Sequence, residues 1–146
     1  MLTVGDKYLV CGNADGTIRF YDFYFKAAAW FEDQLLSSVK SISFSKKRPT
    51  LAAGESNLEQ EKADKTSRFA CSDFLVADSN GMVAELKATM YEAIDNASKI
   101  GPTIMRGLKS AISAIAVHPH RPYLAVAQDD GCIGVYDYEN DFQLVI

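Results

Sequence analysis

The chain is expected to be all-β, built from repeated four-stranded antiparallel sheets rather than one continuous sheet. Three observations lead there. Leu9 to Asp22 reads LVCGNADGTIRFYD and Leu124 to Asp137 reads LAVAQDDGCIGVYD, with Leu, Asp-Gly, Ile and Tyr-Asp at identical offsets. A looser copy, LVADSNGMVAEL, lies between them at Leu75 to Leu86. In each copy an Asp-Gly or Asn-Gly pair separates two apolar runs, the strongest short-range signal for a β-hairpin, because both residues tolerate positive φ.

Asp15-Gly16, Asn80-Gly81 and Asp130-Gly131 are therefore expected to be three equivalent turns between a strand b and a strand c. A strand a precedes the second and third hairpins: Val39, Ile42 and Phe44 in VKSISFS mirror Ile112, Ile115 and Val117 in ISAIAVH. For the first hairpin only Leu2 to Val4 is available as strand a. Ala27 to Phe31 and Phe142 to Ile146 suit fourth strands. The units then span about 4–31, 38–107 and 111–146. The middle one exceeds the roughly 40–45 residues of such a repeat, so it must hold insertions. Residues 46–68, polar and with a charged run, read as a long surface loop, and 88–102 as a second insertion. Met90, Ile94 and Ala97 within the second have helical spacing and suit a short helix over a sheet edge.

Four antiparallel strands per unit with this turn rhythm make the blade of a β-propeller. Here the sequence resembles the WD-repeat family, with Tyr21-Asp22 and Tyr136-Asp137 where that family carries Trp-Asp. The resemblance covers nearly the whole chain and is specific in the outer two units. Asp15 and Asp130 match the family's turn aspartate, but Cys11 and Val126 replace its strand-b hydroxyl. Gly107-Leu108 stands where a Gly-His pair is usual. These departures imply blades held by apolar packing without the family's full polar network. The strings CGNADGTIRFYDF and AAAWFED further resemble WD-repeat proteins of cilia and flagella that sit near the base of a radial spoke.

About three blades are fewer than the 4–8 of a closed propeller. The arc is expected to leave apolar faces at both ends, to be covered by further blades of a longer polypeptide or by another chain. The reading as a piece of a longer polypeptide is preferred.

Composition narrows the function. The 146 residues are 48% hydrophobic and 23% charged, in the range of an ordinary globular domain, with a net charge of −4 that offers no attraction to nucleic acid or anionic lipid. No run approaches the roughly 18 apolar residues of a membrane span, and Met1 to Val10 lacks the pattern of a secretory signal, so a cytoplasmic or cytoskeletal setting is expected. Cys11, Cys71 and Cys132 are far apart and are expected to be unpaired thiols. No nucleophile motif or phosphate loop occurs, and His118-Pro119-His120 lacks the third ligand a zinc site needs. Asn96-Ala97-Ser98 is formally a glycosylation acceptor but requires secretion. Asp22 and Asp137, the one imaginable carboxylate pair, are repeat-equivalent strand-end residues and read as structural.

No enzyme, metal or cofactor is therefore expected. The expected function is a protein-interaction scaffold, implied by the resemblance to be a structural part of a ciliary or flagellar axoneme. Its partners would be other proteins of that assembly, such as radial-spoke or doublet-microtubule components. The alternative is a cytosolic adaptor presenting a peptide or substrate protein. In an antiparallel meander the a–b and c–d connections share one edge, so both insertions should project from one face. Lys46, Lys47, Arg48 and Tyr91 are its expected partner contacts.

Overall fold

A computed structural model of the chain describes residues 2–5, 7–45, 69, 71–91 and 99–146. Among the described residues, twelve strands form three four-stranded antiparallel sheets. The first contains β1 (Leu2–Gly5), β2 (Tyr8–Gly12), β3 (Ile18–Tyr21) and β4 (Ala27–Phe31). The second contains β5 (Val39–Phe44), β6 (Phe74–Asp78), β7 (Val83–Leu86) and β8 (Thr103–Met105). The third contains β9 (Ile112–Val117), β10 (Tyr123–Gln128), β11 (Ile133–Asp137) and β12 (Gln143–Leu144). Each sheet is a simple meander in chain order, which is the construction of a propeller blade. Leu2–Gly5 completes the first, with Val4 opposite Leu9. A short helix, α1 (Ala88–Tyr91), follows β7.

Burial shows how the sheets stack. All five residues of β6 are buried, whereas β2 and β10 alternate between buried and half-buried. A strand buried on both faces belongs to a sheet with a neighbour on each side. The middle sheet is therefore the filling of a three-layer arc. Phe74, Val76 and Leu86 face the first sheet, where Val10, Ile18, Phe20 and Phe31 complete the joint. Leu75, Ala77 and Val83 face the third, against Ile112, Ile115, Leu124 and Val126. The first joint is aromatic: Phe20 lies edge-to-face on Phe74 at 5.4 Å and on Phe69 at 5.0 Å.

The innermost strands of the second and third sheets are pinned side by side. Ser41 Oγ accepts the Ile115 N–H at 3.0 Å, and Ser43 Oγ accepts that of Val117 at 3.0 Å.

The turns differ in one respect from the reasoning behind them. Gly16, Gly81 and Gly131 have φ of 83°, 75° and 86°, but Asp15, Asn80 and Asp130 are not left-handed. The loops are three residues long and closed by the glycine: Asn13 N donates to Thr17 O, Asp78 N to Met82 O, and Gln128 N to Cys132 O. The aspartates act as caps instead. Asp15 Oδ1 accepts from Thr17 N at 3.0 Å and Thr17 Oγ at 2.7 Å, and Asp130 Oδ1 accepts from Cys132 N at 2.9 Å. The Thr17 hydrogen bonds hold the Asp15 carboxyl below its ordinary range.

Apolar packing alone does not account for the middle blade. Asp78, 1% exposed, accepts four hydrogen bonds: from Asn80 N and Met82 N on Oδ1, and from Ser37 N and Ser37 Oγ on Oδ2, all at 2.9–3.0 Å. The Ser37 and Ser79 hydroxyls also meet at 2.9 Å. This network joins the connection after β4 to the β6–β7 turn.

Candidate protein-interaction face

The β1–β2, β5–β6 and β9–β10 connections share one edge of the arc with β3–β4, β7–β8 and β11–β12. The β6–β7 and matching turns on the opposite edge are minimal. The first edge carries the long connections, and on it the Tyr-Asp pairs end β3 and β11.

Those pairs have distinct jobs. Tyr136 packs on the joint between the second and third sheets. Asp137 caps the turn that follows, accepting from Glu139 N at 3.1 Å and Asn140 Nδ2 at 2.8 Å. Asp22 does the same in the first sheet: Oδ1 accepts from Tyr24 N at 2.8 Å and Lys26 N at 2.9 Å. Tyr21 pairs with Leu9 across the hairpin. In the third sheet the signature thus joins a packing ring to a turn cap, and the first sheet shares the cap.

Lys46, Lys47 and Arg48, and residues 49–68 after them, lie outside the described residues. Tyr91 is described and is half-buried. Its ring meets Phe69 at 5.6 Å, Phe31 at 6.2 Å and Trp30 at 5.6 Å. Tyr91 therefore packs against the first joint.

The described parts of the second insertion likewise lie against the sheets. Gln34, 4% exposed, donates to Lys99 O at 2.9 Å and Glu32 O at 3.0 Å, and accepts from Gly101 N at 2.9 Å. A Cβ on Gly101 would stand 2.4 Å from Glu85 O, so only glycine permits this approach. Between β4 and α1 remains an open cleft of about 710 Å³ walled by Trp30, Tyr91, Lys99 and Ile100.

Among the described residues, the most exposed apolar group lies where the repeat pattern marks nothing. Phe23, Tyr24 and Phe25, in the β3–β4 turn, are 60%, 86% and 76% exposed. The signal was present as an unbroken aromatic run between Asp22 and Lys26. The repeat offers no guide to it, because the signature ends at Tyr21-Asp22 and the third sheet carries Tyr-Glu-Asn in the same place.

The remaining polar groups have structural uses. His118 Nδ1 accepts from His120 N and Arg121 N, both at 3.1 Å, and so shapes the β9–β10 turn. Among the described residues no group of three or more His, Cys, Asp or Glu is placed to hold a metal ion. None of their helices is long and apolar enough to cross a membrane. Cys11, Cys71 and Cys132 are not joined by disulfides. The Asp130 carboxylate hydrogen-bonds the exposed Cys132 thiol and raises its pKa.

Comparison with known proteins places this geometry. Residues 103–137 match the family model described as WD domain, G-beta repeat. Over 98% of its length the chain is 34% identical to cilia- and flagella-associated protein 251 of Tetrahymena thermophila. Over 94% it is 32% identical to the protein of the same name from Chlamydomonas reinhardtii, and over 95% it is 28% identical to that from Mus musculus. The chain spans 14%, 16% and 10% of the length of these three relatives.

Proposed function

Since the chain belongs to the WD-repeat family, we propose that it is a non-catalytic protein-interaction scaffold, a segment of a propeller that serves in a ciliary or flagellar axoneme. The observation that carries this reading is similarity along almost the whole chain to cilia- and flagella-associated proteins of a ciliate and an alga. The similarity therefore includes all three blades rather than one widespread repeat. The architecture supports the same reading, because three of the described polar side chains that sequence alone could offer to chemistry are used in turns. The Asp22, Asp137 and His118 hydrogen bonds all close turns of their own strands.

Within this reading the partner-facing edge is the one bearing the β5–β6 and β7–β8 connections, and Lys46, Lys47 and Arg48 in the first supply cations to an acidic partner. Radial-spoke or doublet-microtubule proteins are the partner class proposed. The arc is completed by further blades or by another chain.

A fluorescently tagged chain expressed in a ciliated cell tests the proposal. Signal retained on the axoneme after detergent extraction is the expected result. A signal that stays diffuse in the cell body, in cells whose cilia are intact, would overturn it in favour of a cytosolic adaptor.

A further inference from the structure

We infer that the β3–β4 turn is a docking tip: Tyr24 and Phe25 insert into an apolar pocket of a partner protein, with Lys26 against an acidic rim of that pocket. This rests on the ciliary scaffold reading and adds the contact by which the segment holds its partner.

The turn is built to present rings and little else. The Asp22 carboxylate takes the Tyr24 and Lys26 amides, Asp22 N donates to Lys26 O at 2.9 Å, and Phe25 N donates to Asp22 O at 3.0 Å. With the amides of Asp22, Tyr24, Phe25 and Lys26 engaged inside the turn, its exposed side chains are three aromatic rings and one ammonium. Phe25 sits at φ 61°, a left-handed conformation uncommon for a bulky residue and one that closes the turn with its ring 76% exposed. A pair of exposed aromatics on a hydrogen-bonded turn is the composition of a binding hot spot and gives no advantage in water alone.

The third sheet supplies an internal control. There the neighbouring middle sheet is present, and Tyr138 packs into the joint between them. Phe23 is its counterpart in the repeat, so a preceding blade suffices to explain the exposure of Phe23. The next two positions, Glu139 and Asn140, remain exposed despite that neighbour. Counted from the strand-end aspartate their counterparts are Tyr24 and Phe25, although the loops close differently beyond that point, Phe25 being left-handed in the first sheet and Asp141 and Phe142 in the third. A missing blade therefore does not account for these two rings, and solvent is a poor reason to carry rings where the third sheet carries Glu and Asn. A protein pocket fits better than a bilayer, because surface binding to anionic lipid draws on clustered cations. The tip has Lys26 alone, on a chain of net charge −4.

The decisive variant replaces the tip with its own counterpart, Tyr24→Glu with Phe25→Asn. Asn tolerates the left-handed backbone better than Phe does, so the thermal midpoint should hold or rise. In co-sedimentation of the full chain with isolated, demembranated axonemes, the unaltered chain should pellet and the double variant should bind about tenfold or more weakly. Equal pelleting of both would overturn the docking tip and leave the ciliary reading standing. Failure of the unaltered chain to pellet would overturn both. Benzoylphenylalanine placed at position 24 should crosslink on axonemes to one discrete protein, and the same probe at position 140 to none; equal crosslinking from both positions would overturn the assignment. Binding to phosphatidylcholine–phosphatidylserine vesicles that disappears in the double variant would transfer the tip to a membrane role and overturn the protein pocket.

Discussion

At the scale of single residues, Asp78 carries a large polar burden in a buried place. Its carboxylate accepts two amides of its own turn and both donors of Ser37. Asp78→Ala strips all four partners in a buried place and is expected to destabilise the fold by about 3 kcal/mol in urea unfolding. Asp78→Asn should cost less, since its oxygen can still accept the Asn80 and Met82 amides while its NH₂ faces donors on Ser37. Equal losses for the two variants would show that the Ser37 side of the network contributes everything. Asp73 behaves differently. Burial raises its pKa, with Lys87 opposing, so the folded state favours the protonated acid. Stability from this group is present at low pH and lost as pH rises through the folded pKa. Asp73→Asn should therefore be more stable than the unaltered chain at neutral pH, and the gap should close as the solution is acidified. Cys132, exposed but with its thiol pKa raised by Asp130, should alkylate more slowly at pH 8 than a free model thiol. Asp130→Asn should speed the reaction; an unchanged rate would contradict the assigned cause. The Asx-turn half of the Asp78 network was readable in Asp-Ser-Asn-Gly, but Ser37 lies 41 residues away and no local pattern announces it.

At the scale of elements, the b–c turns look alike in sequence yet differ in what covers them. A Cβ on Gly16 would stand 2.2 Å from Leu36 O, because the connection to the second sheet runs across that turn. On Gly81 the nearest atom, Leu108 Cβ, would be 3.4 Å away, and on Gly131 nothing lies within 4 Å. Gly131→Ala should thus cost only the left-handed strain, about 1–2 kcal/mol. Gly16→Ala should cost distinctly more, and comparable losses in chemical denaturation would mean that the covering connection yields freely. The all-β class and the blade meander were legible because alternation and turn dipeptides are local. The route of the second insertion was not, since it depends on Gln34 reaching Lys99 and Gly101. The family match at 103–137 also spans two sheets, β8 of the second and β9–β11 of the third. A unit of sequence here is a staple between blades rather than one blade.

At the scale of the whole molecule, the arc has a protected middle and two open flanks. The middle sheet is covered on both faces, whereas the third presents Ile133, 73% exposed, on the face away from its neighbour. Amide hydrogen exchange should be slowest in β6 and faster by about a hundredfold or more in β12, which pairs through only two residues. Uniform protection across the three sheets would mean that the flanks are covered in solution, by self-association or otherwise. That the flanks are apolar was inferred from counting blades, a matter of arithmetic on repeats. Which residues line them followed only once the strand registers were known.

The two serines of β5 also bear on how such an arc avoids assembling wrongly. β9 is the edge strand of its sheet, and an edge with unpaired amides is a template on which another chain can grow fibrillar β-structure. Ser41 and Ser43 occupy the outward amides of Ile115 and Val117 with hydroxyls from the adjacent sheet. A hydroxyl satisfies the edge but cannot itself continue a ladder. Where the third sheet approaches the second, the β9 edge is thereby blocked at two amides by hydroxyls, a guard that needs no proline or charge on β9 itself.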